Sequence, residues 1–220
     1  MSTRHENQES FIADEVYHVF NKSIAGYKVL NDDSDYSRLN SLIRYYQCIP
    51  SVKYSVYKKS LKNGESESFL PPKRGDQLVE IIAYCFMPTH IHLILRQISE
   101  NGLSTFMNNV CNSYSRYFNI KYNRKGPLWM GRFKRVLVQT DEQLLHLTRY
   151  VHLNPVTSHL VDAPEEWRNS SYDEYLCRSD EKVCRYGDLL DVRPEEYKEF
   201  VNDNISYQRE RAQLKKLVFE

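Results

Sequence analysis

Residues 77–96 read QLVEIIAYCFM, then PT, then HIHLILR. The first run is rich in β-branched and aromatic residues, Pro88-Thr89 interrupts it, and a second β-favouring run follows at once, so the stretch predicts strand, tight connection, strand. Side chains alternate across a strand, which puts His90, His92, Ile94 and Arg96 on one face and Ile91, Leu93 and Leu95 on the other. Two imidazoles then stand side by side on a rigid element, able to hold two adjacent coordination positions of a divalent first-row metal. An H-x-H pair taken alone is more often an ordinary surface or half-buried pair, so the assignment needs a second element.

Working outward, Val16 to Phe20 alternate as a first strand, with Val16, His18 and Phe20 facing one way. Tyr36, Leu39, Leu42, Ile43 and Tyr46 fall at helical spacing within 33–46. Residues 60–76 (SLKNGESESFLPPKRGD) are polar and turn-forming and predict a surface loop. A helix over 103–122 and a short strand over 135–139 come next. Thr140-Asp141-Glu142-Gln143 is a capping-box start for a helix over 144–153, expected to stop near Asn154 because Pro155 disfavours α geometry in the residue before it. The order β-α-(β)-β-β-α-β-α predicts an α+β fold, a ferredoxin-like antiparallel sheet with helices, followed by a C-terminal helical extension. The expected division is a polar N-terminal segment over 1–15, one domain over 16–176 and an extension over 177–220.

Composition narrows the class. The chain has 220 residues and a net charge of +1, and that near-neutral total hides an uneven distribution. From Asn101 to Thr140 there is no Asp or Glu, while Arg116, Lys121, Arg124, Lys125, Arg132, Lys134 and Arg135 crowd the second half of the stretch; acids then dominate from Asp162 to Glu199. The basic residues are interleaved with Tyr117, Phe118, Tyr122, Trp129 and Phe133, the mixture of phosphate contacts and stacking platforms suited to single-stranded nucleic acid. The alternative is a solvated helix face above core aromatics. No apolar run approaches a membrane span, so a cytoplasmic protein is expected. The 5 cysteines include no C-x-x-C pair and are expected reduced, and many of the 17 tyrosines are expected to be partly exposed.

The second element lies on the capped helix. Tyr150 and Asn154 are four apart and share one face, with Gln143 and His146 along the same stripe, while Leu144, Leu147, Thr148 and Val151 form a neighbouring apolar face. Without context, Tyr150 is a half-buried helix aromatic and Asn154 a C-terminal cap. With context, His90-Ile91-His92 resembles the HUH motif, and Tyr150-Val151-His152-Leu153-Asn154-Pro155-Val156 resembles the Y-x-x-x-N-P-V signature of REP-associated tyrosine transposases. Tyr17-His18-Val19-Phe20-Asn21-Lys22 is similar to that family's opening Y-H-V-x-N-R strand, with Lys22 where Arg is usual. Gly126-Pro127-Leu128-Trp129-Met130-Gly131-Arg132-Phe133 is similar to its G-x-L-(F/W)-x-x-R-F segment. The resemblance spans roughly residues 16–175.

This resemblance implies a metal-dependent single-strand DNA endonuclease and strand transferase. His90, His92 and Asn154 would hold one divalent ion, Mn²⁺ or Mg²⁺. Tyr150 would attack phosphorus and become linked to the 5′ phosphate, leaving a 3′-OH. His146 and His152 are candidates for assisting the phenol, which at its ordinary pKa of about 10 is a poor nucleophile. The implied partner is single-stranded or hairpin DNA, formed by repeated chromosomal palindromes, and the implied protein a monomer or homodimer. Arg116, Lys121, Arg124, Lys125, Trp129, Arg132, Lys134 and Arg135 are the expected DNA-binding residues. The competing readings are a non-catalytic nucleic-acid-binding protein of the same fold and a metal-dependent hydrolase that uses water.

Overall fold

A computed structural model describes residues 14–62, 77–180 and 182–211. Nearly all of the expected polar N-terminal segment, most of the 60–76 loop and the tail of the extension lie outside those residues. Four strands form one sheet: β1 (Val16–Lys22), β2 (Val79–Met87), β3 (His90–Gln97) and β4 (Lys134–Leu137), in the order β2-β3-β1-β4. Every pairing is antiparallel, which is the ferredoxin-like arrangement expected from the sequence. Between β1 and β2 run α1 (Asp33–Tyr46) and α2 (Tyr54–Lys62); α3 (Gly102–Lys121) joins β3 to β4, and α4 (Asp141–Thr157) follows β4. The position left open for a further strand after α1 is taken by α2, and Cys48 and Gln77 contribute just an isolated bridge.

The strict alternation of β3 divides the molecule into two cores. Ile91, Leu93 and Leu95 are fully buried on one face, against Leu39, Leu42 and Ile43 of α1 and Phe106, Met107 and Val110 of α3. Each such side chain contributes about 1.5–3 kcal/mol relative to exposure. Ile94, on the opposite face, joins Val16, Ala83 and Cys85 beneath Leu144, Val151 and Leu153 of α4. Helices therefore cover both faces, and α4 lies on the face that carries the two histidines.

Thr140 caps α4 by accepting from Gln143 N at 3.1 Å, worth about 1 kcal/mol. Gln143 reaches back as a capping box requires, but to Gln139 N at 2.8 Å, one residue before the cap. Contrary to the sequence expectation, α4 continues through Pro155 to Thr157. The reason is burial: every residue from Val151 to Val156 is buried, and Ser158 N closes the end on Asn154 O at 3.0 Å. That packing offsets the hydrogen bond proline cannot make.

The C-terminal residues complete the second core. From α5 (Tyr172–Tyr175) come the buried rings of Tyr172 and Tyr175, and from α6 (Pro194–Asn202) come Tyr197 and Val201. A further helical stretch covers 205–211. The tyrosine surplus is thus split, with rings such as Tyr114, Tyr172, Tyr175 and Tyr197 fully buried and Tyr27, Tyr150 and Tyr207 exposed. All five cysteines are free thiols. Among the described residues no helix is long and apolar enough to cross a membrane.

Candidate active site

The register of β1 against β3 pairs Phe20 with His92, His18 with Ile94 and Lys22 with His90. Paired residues share a face, so His18 comes diagonally beside His92. Its Nε2 lies 3.0 Å from His92 Nδ1, and the rings stack at 5.2 Å with 13° between planes. His90 stands edge-on to His92 at 5.0 Å, and Thr89 Oγ1 meets His90 Nδ1 at 3.0 Å. Both histidines of the motif are thus held through Nδ1, and in the tautomer that carries the proton there the Nε2 lone pairs are open to an ion.

Ile94 seats α4 on this face, and the helix then carries Tyr150 over the histidines. The Tyr150 ring presents to His92 at 5.8 Å and 89°, and to His18 at 6.0 Å and 82°. Tyr150 keeps 41% of its surface exposed, while Asn154, one turn on, is buried and donates Nδ2 to Tyr150 O at 2.9 Å. That hydrogen bond fixes the amide so that its oxygen remains as an acceptor. Strand and helix thereby bring His90, His92, Tyr150 and Asn154 to one region of the molecule, linked through the His90–His92 and His92–Tyr150 ring contacts and the Asn154–Tyr150 hydrogen bond.

Burial sets the protonation states. It lowers His18 and His90 from 6.5 to about 4, with the Lys22 charge a lesser cause at His90, and it pushes His92 well below its ordinary value, with His90 and His18 adding to the effect. All three are neutral at pH 7, the state in which imidazole binds metal. Burial also raises the Tyr150 phenol above 10, opposed by the Asn154 side chain. Two neutral imidazole nitrogens and an amide oxygen suit a divalent ion such as Mn²⁺, and Mg²⁺ less well. Among the described residues no three His, Cys, Asp or Glu side chains form a group that could hold a metal ion, so a third protein ligand beside His90 and His92 would have to be an amide such as that of Asn154.

Other residues singled out from the sequence fall elsewhere. His152 is fully buried, with Nδ1 at 2.7 Å from Tyr197 Oη and Nε2 at 2.8 Å from Ser171 Oγ. Both nitrogens are engaged inside the second core, so it ties α4 to the C-terminal segment and does not reach the phenol from solvent. His146 is exposed and meets Arg149 Nη2 at 2.8 Å. Trp129 is 8% exposed, donates to Cys111 O at 3.3 Å and packs against Tyr114, a core ring and not an open stacking surface.

The basic stretch is likewise divided. Lys121 Nζ lies 2.7 Å from both Asp32 Oδ2 and Asp35 Oδ1 of the region around the α1 start, so its charge is locally neutralised. Arg124 bonds Asn119 Oδ1 at 3.1 Å and Pro127 O at 2.8 Å. Arg116, Lys125, Arg132 and Lys134 are exposed and Arg135 is half-buried. Lys134 pairs with Phe20, which pairs with His92, so one row of the sheet runs from cation to imidazole. Arg116 sits on α3, behind the other face.

The residue that sequence reading missed is His18. Its alternation with Val16 and Phe20 was visible, but placing it against His92 requires the strand register, which the sequence does not state.

A protein-family model described as Transposase IS200 like matches residues 44–154, half of the chain. The chain belongs to the IS200-like transposase family. The matched residues end on Asn154 and include His90, His92 and Tyr150, whereas β1 with His18 precedes them. A Haemophilus influenzae protein that carries the provisional name REP-associated tyrosine transposase is 31% identical over 105 residues, 42% of this chain and 58% of that protein. This IS200-like transposase chain therefore spans little more than half the length of that curated relative. A solved structure of a REP-associated tyrosine transposase bound to a REP hairpin superposes with a TM-score of 0.55 at 18% identity, covering 88% of this chain and 96% of that one. That likeness is one of fold.

Proposed function

We propose that this IS200-like transposase cuts single-stranded DNA at the edge of a hairpin with Tyr150 and rejoins the end to another strand. The observation that carries the reading is the convergence of the Tyr150 ring on the His18-His92 pair, at 6.0 and 5.8 Å, with Asn154 tethered one turn away. By analogy with the hairpin-bound transposase of like fold, the hairpin is the structure recognised.

A phosphodiester repels nucleophiles, so cutting needs charge neutralisation, an oriented attacker and an in-line leaving oxygen. His90 Nε2, His92 Nε2 and the Asn154 amide oxygen would hold a divalent ion, which when bound supplies positive charge to a non-bridging phosphate oxygen. For His92 Nε2 to offer its lone pair, Nδ1 must keep the proton and donate it to neutral His18 Nε2, so His18 orients the ligand and raises its basicity. Tyr150 Oη forms a bond to phosphorus as the bond to the 3′ oxygen breaks. The phenolic proton leaves to solvent and the departing 3′ oxygen takes one up. The phosphotyrosine conserves the bond energy, and attack by a 3′-OH reverses the step without ATP. Lys134, Arg132 and Lys125 would line the path of the strand, while Arg116 and Arg135 belong to the opposite face of the sheet.

Incubating the protein with a pool of hairpin-tailed single strands and Mn²⁺, then resolving the products on a denaturing gel with mass spectrometry, tests the proposal. The expected product is DNA covalently attached at Tyr150, absent in His90→Ala and His92→Ala although both still bind the hairpin. Cleavage without an adduct would show water as the nucleophile, and binding without cleavage would show a regulator.

A further inference from the structure

A cavity of about 530 Å³ opens beside Tyr150 and Asn154, between the outer side of α4 and residues 204–211. Its far wall carries an exposed aromatic, Tyr207, with the Arg211 guanidinium 5.7 Å from the centre of that ring. Two amides, Asn204 and Gln208, complete the wall. Thr157 Oγ1 donates to Gln208 Oε1 at 3.2 Å, and Asn204, with its oxygen turned to Arg149, meets that guanidinium at 2.6–3.1 Å. In both cases the amide oxygen is taken by a fixed protein donor and the NH₂ group remains as a donor. Among the described residues no carboxylate lines the cavity.

We infer that this cavity is a subsite for one unpaired nucleotide of the DNA strand, the base lying against Tyr207 with its acceptor atoms toward Gln208 and Asn204, and a phosphate beside Arg211. The inference rests on the strand-cutting reading for its position next to the scissile bond. The chemistry is that of single-strand recognition generally: an aromatic platform accepts any base, amide donors discriminate by acceptor pattern, and a guanidinium holds phosphate. The volume lies within the range of small-molecule and cofactor sites, about 300–1,000 Å³, enough for one nucleotide. Because Tyr150 and Asn154 form the near wall, a nucleotide seated here abuts the attacking oxygen and fixes which phosphate it meets. Specificity for the cleavage position would then reside in the C-terminal segment, outside the stretch matched to the family.

Equilibrium binding of a labelled hairpin-tailed single-strand pool, in chelator so that no metal-dependent cutting occurs, reads the subsite directly. Tyr207→Ala should raise Kd about tenfold, Tyr207→Phe should restore it, and Arg211→Ala should flatten the salt slope by about 0.7. Sequencing the bound strands should show one position whose base preference disappears in Gln208→Ala. Circular dichroism confirms that the variants fold. Tyr207→Ala within twofold of the parent, or a parent that does not bind the pool, overturns the inference. The Mn²⁺ adduct assay separates it from the cutting reading. An adduct in the parent with no binding change in the variants sinks the subsite alone, whereas binding loss in the variants with no parental adduct upholds the subsite and sinks the nuclease.

Discussion

The two faces of β3 are built from alternate residues of one eight-residue strand and serve opposite ends. On one face Ile91, Leu93 and Leu95 disappear into a core of apolar and aromatic side chains shared with α1 and α3. On the other, Ile94 alone does that work, and His90 and His92 extend the same row into a polar site under α4. The apolar face holds the strand rigid so that the polar face can hold two imidazoles at a fixed separation. Rigidity on one side is the condition for chemistry on the other.

Substitutions can break this division of labour from either side. The largest effect expected is that of Tyr150→Phe, which should abolish adduct formation by at least about 10³-fold while changing stability by no more than about 1 kcal/mol, the net worth of one hydrogen bond. A gel assay beside a urea melt checks both halves, and retained adduct would move the nucleophile to another tyrosine. Leu93→Ala, on the opposite face, should do the reverse, lowering the unfolding free energy by about 2–5 kcal/mol while leaving turnover per folded molecule near that of the parent. If Leu93→Ala instead removed turnover at full stability, the faces would not be separable.

Next in size is His18→Ala, expected to weaken Mn²⁺ binding about 10–100-fold through loss of the partner that orients His92, with activity recovered in excess metal. Calorimetric titration measures it, and an unchanged affinity would leave His18 as packing alone. The buried histidines also predict an acid limit. Their folded-state pKa values lie below 6.5, near 4 for His18 and His90, so between those values the unfolded chain binds more protons. Stability should be complete above about pH 6.5 and fall as the pH drops toward 4. Urea midpoints at pH 7.5, 6 and 5 in chelator should decline in that order. The smallest effects separate two lysines: Lys134→Ala should lower the salt slope of DNA binding by about 0.7 with stability unchanged. Lys121→Ala should leave the slope alone and cost about 1–3 kcal/mol by stripping Asp35, which is fully buried, of its charged partner.

What could be read in advance followed the range of the signal. The β2-β3 pair, the H-x-H face and the Tyr150-Asn154 stripe are local periodicities, and each stands in the structure as its spacing implied. Contacts distant in sequence were invisible. Lys121 looked like a free cation in an acid-free stretch, but its carboxylates come from 86 and 89 residues upstream. Trp129 and His152 looked available because nothing local reveals that Cys111 O and the pair Tyr197 and Ser171 claim them. Pro155 signalled a helix end correctly by propensity and was overruled by burial. His18 needed the register, which only the folded sheet supplies.

The bond from His152 to Tyr197 bears on how the protein is made. Synthesis delivers β1, β3 and the histidines early, but α4 is seated on a core whose last members, Tyr197 and Val201, arrive at the ribosome some fifty residues after Tyr150. A nascent or prematurely stopped chain would thus own its imidazoles without a firmly placed phenol. The fold in this way makes firm placement of the Tyr150 phenol wait on residues 172–201.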